Sequence, residues 1–205
     1  MRRQLSRGQF SLTMEEVSRL IRAARTFRDK CLMECLYFAG LRRFEAANLD
    51  ARDVDFERGR LRISGKFGKE RVVFVGCVFP QLFDSLKFHL NNRKTGLVFL
   101  SNRNKGLALS RINQIVAEAG AAAGLKNPDP SLKYVNPHIL RHSVINHFKL
   151  MGLPIEFAQN YAGHERIETT LSTYGKFSIE QLELMGREKR KLIDGRRETL
   201  ELTWN

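Results

Sequence analysis

Apolar residues recur every three or four positions along most of this chain, the spacing of amphipathic helices. Thr13, with Glu16 three residues later, forms a capping box that predicts a helix start, and the apolar stripe behind it is Val17, Leu20, Ile21 and Ala24. A second helix is predicted over 29–39 and ends at Gly40. Ser110 is the predicted cap of a helix over 110–123. Other helices are predicted over 79–90, 137–150, 154–163 and 178–197, with one helical turn at 169–173.

Two short runs of alternating or β-branched residues, 60–64 and 71–75, predict the strands of a β-hairpin. The turn between them contains two glycines and two lysines. A third short strand is predicted over 97–100. The expected fold class is therefore mostly α with a small antiparallel β-sheet (α+β).

Charge is the unusual feature of the composition. The chain has 35 Lys and Arg against 22 Asp and Glu, a formal net charge of +13. Such an excess favours contact with polyanions such as nucleic acid, although net charge alone does not identify a partner.

The three cysteines do not suggest a disulfide framework or a zinc site. Cys31 and Cys35 lie one turn apart in an apolar helix, so we expect both to pack in the core. No run of eighteen apolar residues or signal segment is present, which gives no support for membrane insertion or secretion. We expect a cytoplasmic, nucleoid-associated protein.

Four segments contain the candidate functional residues of this chain. They are Gly40-Leu41-Arg42-Arg43-Phe44-Glu45, the hairpin turn with Lys66, His138-Ile139-Leu140-Arg141-His142, and Gly163-His164 followed ten residues later by Tyr174. Taken singly, each segment is better explained without a catalytic role, since an arginine that follows a helix is usually a solvated surface residue. Together, their order and spacing closely resemble the tyrosine recombinase family, which includes phage integrases.

The resemblance covers 12–177, which we expect to form a tyrosine recombinase catalytic domain. It leaves 1–11 as a basic tail or linker stub and 178–205 as a C-terminal helical extension. That extension either folds back on its own domain or packs against a neighbouring subunit. Family members usually carry an N-terminal domain that clamps DNA, so the chain is either a fragment or a short stand-alone recombinase.

The resemblance implies that Arg42 and Arg141 grip the scissile phosphate. Guanidinium groups suit this role because they stay charged and offer paired hydrogen bonds to the oxygens on which charge develops. His138 lies three residues before Arg141, on the same helix face. His142 is expected on a different face, where it packs or caps. Glu45 resembles the acidic residue that supports the first arginine.

By the same resemblance, Tyr174 is the nucleophile and forms a 3′-phosphotyrosyl link. A phenol has a pKa of about 10, so at neutral pH it needs a base or nearby cations to lose its proton. His138 is the better candidate for the base, and His164 is expected to bind the phosphate or orient the site. Lys66 resembles the general acid that protonates the leaving 5′-oxygen, and Lys69 in the same turn is its rival.

The expected function is site-specific cleavage and rejoining of DNA strands by a recombinase or integrase. The partners expected are double-stranded DNA, contacted also by Arg43, Lys69 and Arg71, and further copies of the chain, as a dimer to tetramer on DNA. No cofactor, metal or ATP is expected. The acidic cluster of Asp50, Asp53 and Asp55 is better explained by capping and turns than by magnesium.

Two other functions remain open from the sequence. A type IB topoisomerase-like enzyme that relaxes DNA uses the same residue types. A non-catalytic DNA-binding protein on the same fold would not need Tyr174 or His138.

Overall fold

The computed structural model describes residues 10–64, 70–154, 157, 158, 161 and 183–191. Within these ranges the chain is mostly helical and carries a small three-stranded antiparallel sheet. This confirms the expected fold class. No helix of the described ranges has the length and apolarity needed to cross a membrane.

The first helix, α1 (Met14–Arg22), begins with the predicted capping box. The amide of Glu16 donates to the Thr13 hydroxyl at 3.1 Å, and the amide of Thr13 donates to the Glu16 carboxylate at 2.8 Å. These two bonds satisfy amides that the helix leaves without partners. The apolar stripe of Val17, Leu20 and Ile21 is buried.

Helix α2 (Phe27–Phe38) forms the centre of the core and packs against both α4 (Gln81–Leu90) and α6 (Pro137–Leu150). Its residues from 31 to 38 are all buried, and Glu34 is the one charged side chain among them. Cys31 and Cys35 are fully buried in it, as predicted. A hydrogen bond from the Leu12 amide to Ser143 Oγ, at 2.9 Å, holds the segment before α1 against α6.

The sheet consists of β1 (Val54–Asp55), β2 (Arg60–Ser64) and β3 (Glu70–Val73) in that order. The β2–β3 hairpin was predicted, and its register pairs Leu61 with Val73 and Ser64 with Glu70. The third strand was predicted wrongly. The 97–100 segment makes only isolated bridges, Asp50 with Leu97 and Leu100 with Gly106, and β1 takes the outer position instead.

Two other expectations require correction. The five-residue helix α3 (Arg43–Ala47) follows α2 and was not predicted. Helix α5 (Leu109–Ala122) begins one residue earlier than expected, and Ser110 lies inside it. Ala108 holds the N-cap position and makes no side-chain cap bond, so Ser110 is not the cap.

Asp50 and Asp55 perform the local tasks expected of them. Asp50 accepts from the Arg52 amide at 2.9 Å and caps the short 3-10 helix Ala51–Asp53. Asp55 accepts from the amides of Glu57 and Arg58 in the β1–β2 turn.

Residues 183–191 are helical and join the body of the fold through an ion pair. The Arg60 guanidinium donates to the Glu183 carboxylate through Nε at 2.7 Å and Nη2 at 3.1 Å. Of the helix predicted over 154–163, residues 154, 157, 158 and 161 are described. The last three are helical, and Pro154, the predicted start, is not. The turn predicted at 169–173 lies outside the described residues.

Candidate active site

The end of α2 places Arg42 at the edge of the core. Gly40 adopts φ +57°, a left-handed conformation that glycine tolerates best, and this turns the chain after Ala39. Leu41 is fully buried, so it fixes the next residue against the body of the fold. Arg42 then precedes α3, with about half of its side chain exposed.

Glu45 holds Arg42 from the first turn of α3. Its carboxylate accepts from the backbone amide of Arg42 at 2.7 Å and from Arg42 Nη1 at 2.9 Å. Because Glu45 bonds both the main chain and the side chain of Arg42, it constrains the direction of the guanidinium. A guanidinium carries five N–H donors, so the same group can also bind a phosphate.

A second arginine completes the environment of Glu45. Arg71 on β3 donates to both carboxylate oxygens, through Nη1 to Oε1 and through Nη2 to Oε2 at 2.9 Å. Burial acts to raise the pKa of Glu45, but the bonds and charges of Arg71 and Arg42 outweigh it and bring the pKa below its ordinary value. Glu45 is therefore ionised at neutral pH.

Arg141 approaches the same place from α6. Its side chain is almost completely buried, and Nη1 donates to the carbonyl oxygen of Gly40. Burial, together with the cations of Arg42 and Arg71, lowers the pKa of Arg141 to about 9. The guanidinium thus remains protonated at pH 7 although its environment disfavours the charge. An anion placed beside it would relieve that cost.

Arg42, Arg141 and His138 border one open pocket of about 740 Å³. The other lining residues are Leu41, Arg43, Phe44, Leu109, Asn113, Asn136 and Pro137. The first turn of α6 also faces this pocket. Its amides at 138 and 139 donate to Asn136 Oδ1, so the helix start contributes its partial positive charge rather than N–H donors. The pocket therefore combines cations and a helix start around a space that suits a phosphate.

His138 contacts His142 in this structure. The two Nε2 atoms are 2.8 Å apart, and the rings meet nearly at right angles with centroids 4.2 Å apart. The expectation that His142 lies on a different face was wrong, because residues four apart on a helix are neighbours. Burial, and then the charge of Arg141, lower the pKa of His142.

The remaining predicted site residues fall into two groups. Arg43 is exposed and lines the pocket, whereas Arg71 is mostly buried against Glu45. A DNA contact by either residue stays a prediction, and for Arg71 its engagement with Glu45 leaves little surface for one. Lys66, Lys69, His164 and Tyr174 lie outside the described residues.

One neighbour of His138 and one residue that lines the pocket were not chosen as site residues from the sequence. His142 could have been found from its spacing to His138, which places both rings on one side of α6. Asn113 lines the pocket from α5, and no motif in the sequence marks it.

The phage integrase family profile matches residues 11–179. A tyrosine recombinase XerA from Pyrococcus horikoshii is 34% identical over 190 residues, covering 90% of this chain and 62% of that protein. The chain thus spans about three fifths of that relative's length.

Solved structures show the same architecture. The crystal structure of a XerA recombinase matches with a TM-score of 0.67 and 27% identity, covering 88% of this chain and 65% of that one. A structure of lambda integrase (residues 75-356) bound to DNA matches in fold, with a TM-score of 0.62 and 17% identity over 88% of this chain and 60% of that one. From the family profile, the sequence similarity and the shared fold, we conclude that this chain belongs to the phage integrase family of tyrosine recombinases.

Proposed function

We propose that this chain cleaves and rejoins DNA strands at specific sites through a covalent bond to Tyr174. One observation carries the proposal: Arg42, His138 and Arg141, almost one hundred positions apart at the extremes, border a single pocket. Binding alone would be served by a basic surface. A buried guanidinium beside a histidine pair suits a reaction at the phosphate.

The two arginines act on the charge that develops during the reaction. Attack on a phosphodiester places additional negative charge on the non-bridging oxygens. Arg42 and Arg141 approach from different segments and donate charge-assisted hydrogen bonds to those oxygens. Glu45 keeps Arg42 directed toward the pocket, and the helix N-terminus at Pro137 adds a favourable field.

The reaction conserves the energy of the ester bond. The phenol oxygen of Tyr174 attacks phosphorus and loses its proton to His138, and the bond to the 5′-oxygen breaks. Lys66 protonates that oxygen as it leaves, with Lys69 as the alternative donor, and His164 orients the phosphate. Attack by a 5′-hydroxyl of a second strand reverses the step and releases Tyr174 without ATP.

Double-stranded DNA is the proposed partner. The net charge of +13 favours it, and a lambda integrase of the same fold has been solved bound to DNA. Exposed Arg43 is placed to add a phosphate contact at the rim of the pocket. Exchange between two DNA sites requires several active sites, so we propose that copies of the chain assemble on DNA as a dimer to tetramer.

The test is incubation with nicked suicide DNA substrates, whose cleaved strand diffuses away and traps the covalent product. Denaturing gels should show protein joined to DNA for the unmodified chain and for Tyr134→Phe, which removes an exposed phenol that does not line the pocket. Tyr174→Phe should give no covalent product. Covalent product from Tyr174→Phe would refute the assignment, and sequence-independent plasmid relaxation would favour a topoisomerase.

A further inference from the structure

His138 has a defined partner one turn along α6. A distance of 2.8 Å between two Nε2 atoms requires that one of them carries a proton and the other accepts it. The rings are nearly perpendicular with centroids 4.2 Å apart, so the two side chains also pack against each other. This contact restricts both the rotation of the His138 ring and the position of its proton.

The surroundings of the pair are strongly cationic. Among the described residues, Arg42 and Arg43 face the pocket from the chain before and within α3, and Arg141 lies beside the pair on α6. His142 is about half buried, and its burial and the charge of Arg141 lower its pKa. A neutral His142 can accept a hydrogen bond from Nε2–H of His138, whereas two protonated rings would repel each other.

We infer that His142 is a positioning residue that holds the ring of His138 in the orientation and tautomer required for proton transfer. The inference rests on the proposed function, in which His138 takes the proton of Tyr174. With Nε2 engaged by His142, Nδ1 becomes the atom of His138 that exchanges a proton with the reacting groups. His142 itself does not touch the substrate.

A neighbouring ring also makes His138 a better base. When His138 gains a proton, the pair carries one positive charge, and the Nε2–H bond to His142 becomes charge-assisted. That bond stabilises the protonated form at the moment it is produced, close to three arginines that oppose it. Orienting partners of this kind typically change activity by about 10- to 100-fold when removed.

The first measurement needs no DNA and no activity. Ring nitrogens of the ¹⁵N-histidine-labelled full chain are followed by NMR through a pH titration, with His142→Leu and His142→Gln compared. We expect His138 in one predominant tautomer, titrating jointly with His142, and the coupling lost in His142→Leu. An identical His138 spectrum in the unmodified chain and in His142→Leu would overturn the inference.

The second measurement is the rate of covalent complex formation on suicide DNA. His142→Leu should slow it by about 10- to 100-fold. His142→Gln, whose amide reaches the position of Nε2, should recover most of the rate. Leu150→Gln, an exposed change at the far end of α6, is the control for effects on the helix. Equal loss in His142→Gln and His142→Leu, with equal thermal stability, would refute the positioning role.

The two measurements distinguish a failure of the inference about His142 from a failure of the proposed function. If the unmodified chain forms no covalent complex, the proposed function fails, and the NMR comparison still decides whether His142 controls the His138 ring. If the complex forms and His142→Leu reacts at the rate of the unmodified chain, the function stands and the inference is wrong.

Discussion

Glu45 is the residue on which the geometry of the arginines depends. It is nearly inaccessible to solvent, and its two oxygens accept from Arg42 and Arg71 while Arg141 lies nearby. A buried carboxylate in this position is stabilised only by its partners, and the partners would repel each other without it. Glu45 therefore both stabilises the fold and holds the guanidinium groups in position at the site.

Replacing Glu45 by glutamine should destabilise the protein by about 3 kcal/mol, because buried arginines lose their counter-charge. Urea denaturation of Glu45→Gln against the unmodified chain measures the difference. The exposed Glu57→Gln is the matched control and should change the free energy of unfolding by less than about 0.5 kcal/mol. Equal stability of the two variants would show that Glu45 is not a structural counter-charge.

The ionisation of Glu45 should make the free energy of unfolding depend on pH. The pKa of Glu45 is below its ordinary value of 4.5 in the folded chain, so its contribution to stability is complete above that value. The contribution is lost as the pH falls through the folded pKa. Between about pH 5 and pH 3, the free energy of unfolding should fall more steeply for the unmodified chain than for Glu45→Gln. Parallel curves would contradict this.

The sequence identified some of these residues and could not identify others. Arg42, Arg141, His138 and Glu45 were selected by motif and spacing, and the structure brings them to one place. Arg71 was predicted to contact DNA, because the sequence does not reveal that β3 turns its guanidinium toward a carboxylate 26 positions away. His142 was left out because it was expected on a different face of the helix, although its spacing of four residues from His138 makes the two rings neighbours.

At the scale of elements, Gly40 connects α2 to α6. Its amide donates to the Tyr37 carbonyl at 3.1 Å, and its own carbonyl accepts from Arg141. The end of one helix therefore positions a charged residue of another. The left-handed φ of Gly40 makes this arrangement possible, since other residues adopt it at a cost.

Gly40→Ala should cost about 1 kcal/mol of stability and also reduce covalent complex formation, because the carbonyl that holds Arg141 shifts. Gly124→Ala is a matched control: Gly124 also ends a helix with positive φ, at +67°, and an added Cβ would meet nothing within 4 Å. It should lose similar stability and keep its cleavage rate. Equal cleavage rates for the two variants would refute the link from Gly40 to Arg141.

The elements were predicted where they are long and periodic. Capping chemistry located α1, and α6 lies where the sequence predicted it. Helix α3 and strand β1 were missed because five and two residues are too short for a period to emerge. The 97–100 run was taken for a strand because Val98 and Phe99 are apolar, but they are buried in the core without a place in the sheet.

At the scale of the whole molecule, charge and shape act together. The excess of basic residues favours any polyanion, and we propose that the pocket bordered by Arg42 and Arg141 receives one phosphate of the bound DNA. Affinity for DNA should then come mainly from phosphate contacts, which release bound counterions.

DNA binding by this chain should therefore depend steeply on salt, with a slope of log K against log salt of about −4 or steeper. Fluorescence anisotropy with a labelled duplex measures it. Arg43→Gln should reduce the slope by about one, since it removes a phosphate contact at the rim. Arg25→Gln, a largely exposed arginine that does not line the pocket, should leave the slope unchanged. Nanomolar affinity that is insensitive to salt would contradict the prediction.

The central claim is that Arg42 and Arg141 neutralise the charge of one reacting phosphate. Cleavage of a natural suicide substrate is compared with one carrying an uncharged methylphosphonate at the scissile position. Arg42→Ala and Arg141→Ala should be slowed by about 10²- to 10³-fold on the natural phosphate and much less on the methylphosphonate. Each variant is its own control, because any effect on folding is the same for both substrates. Equal losses on both substrates would contradict the claim.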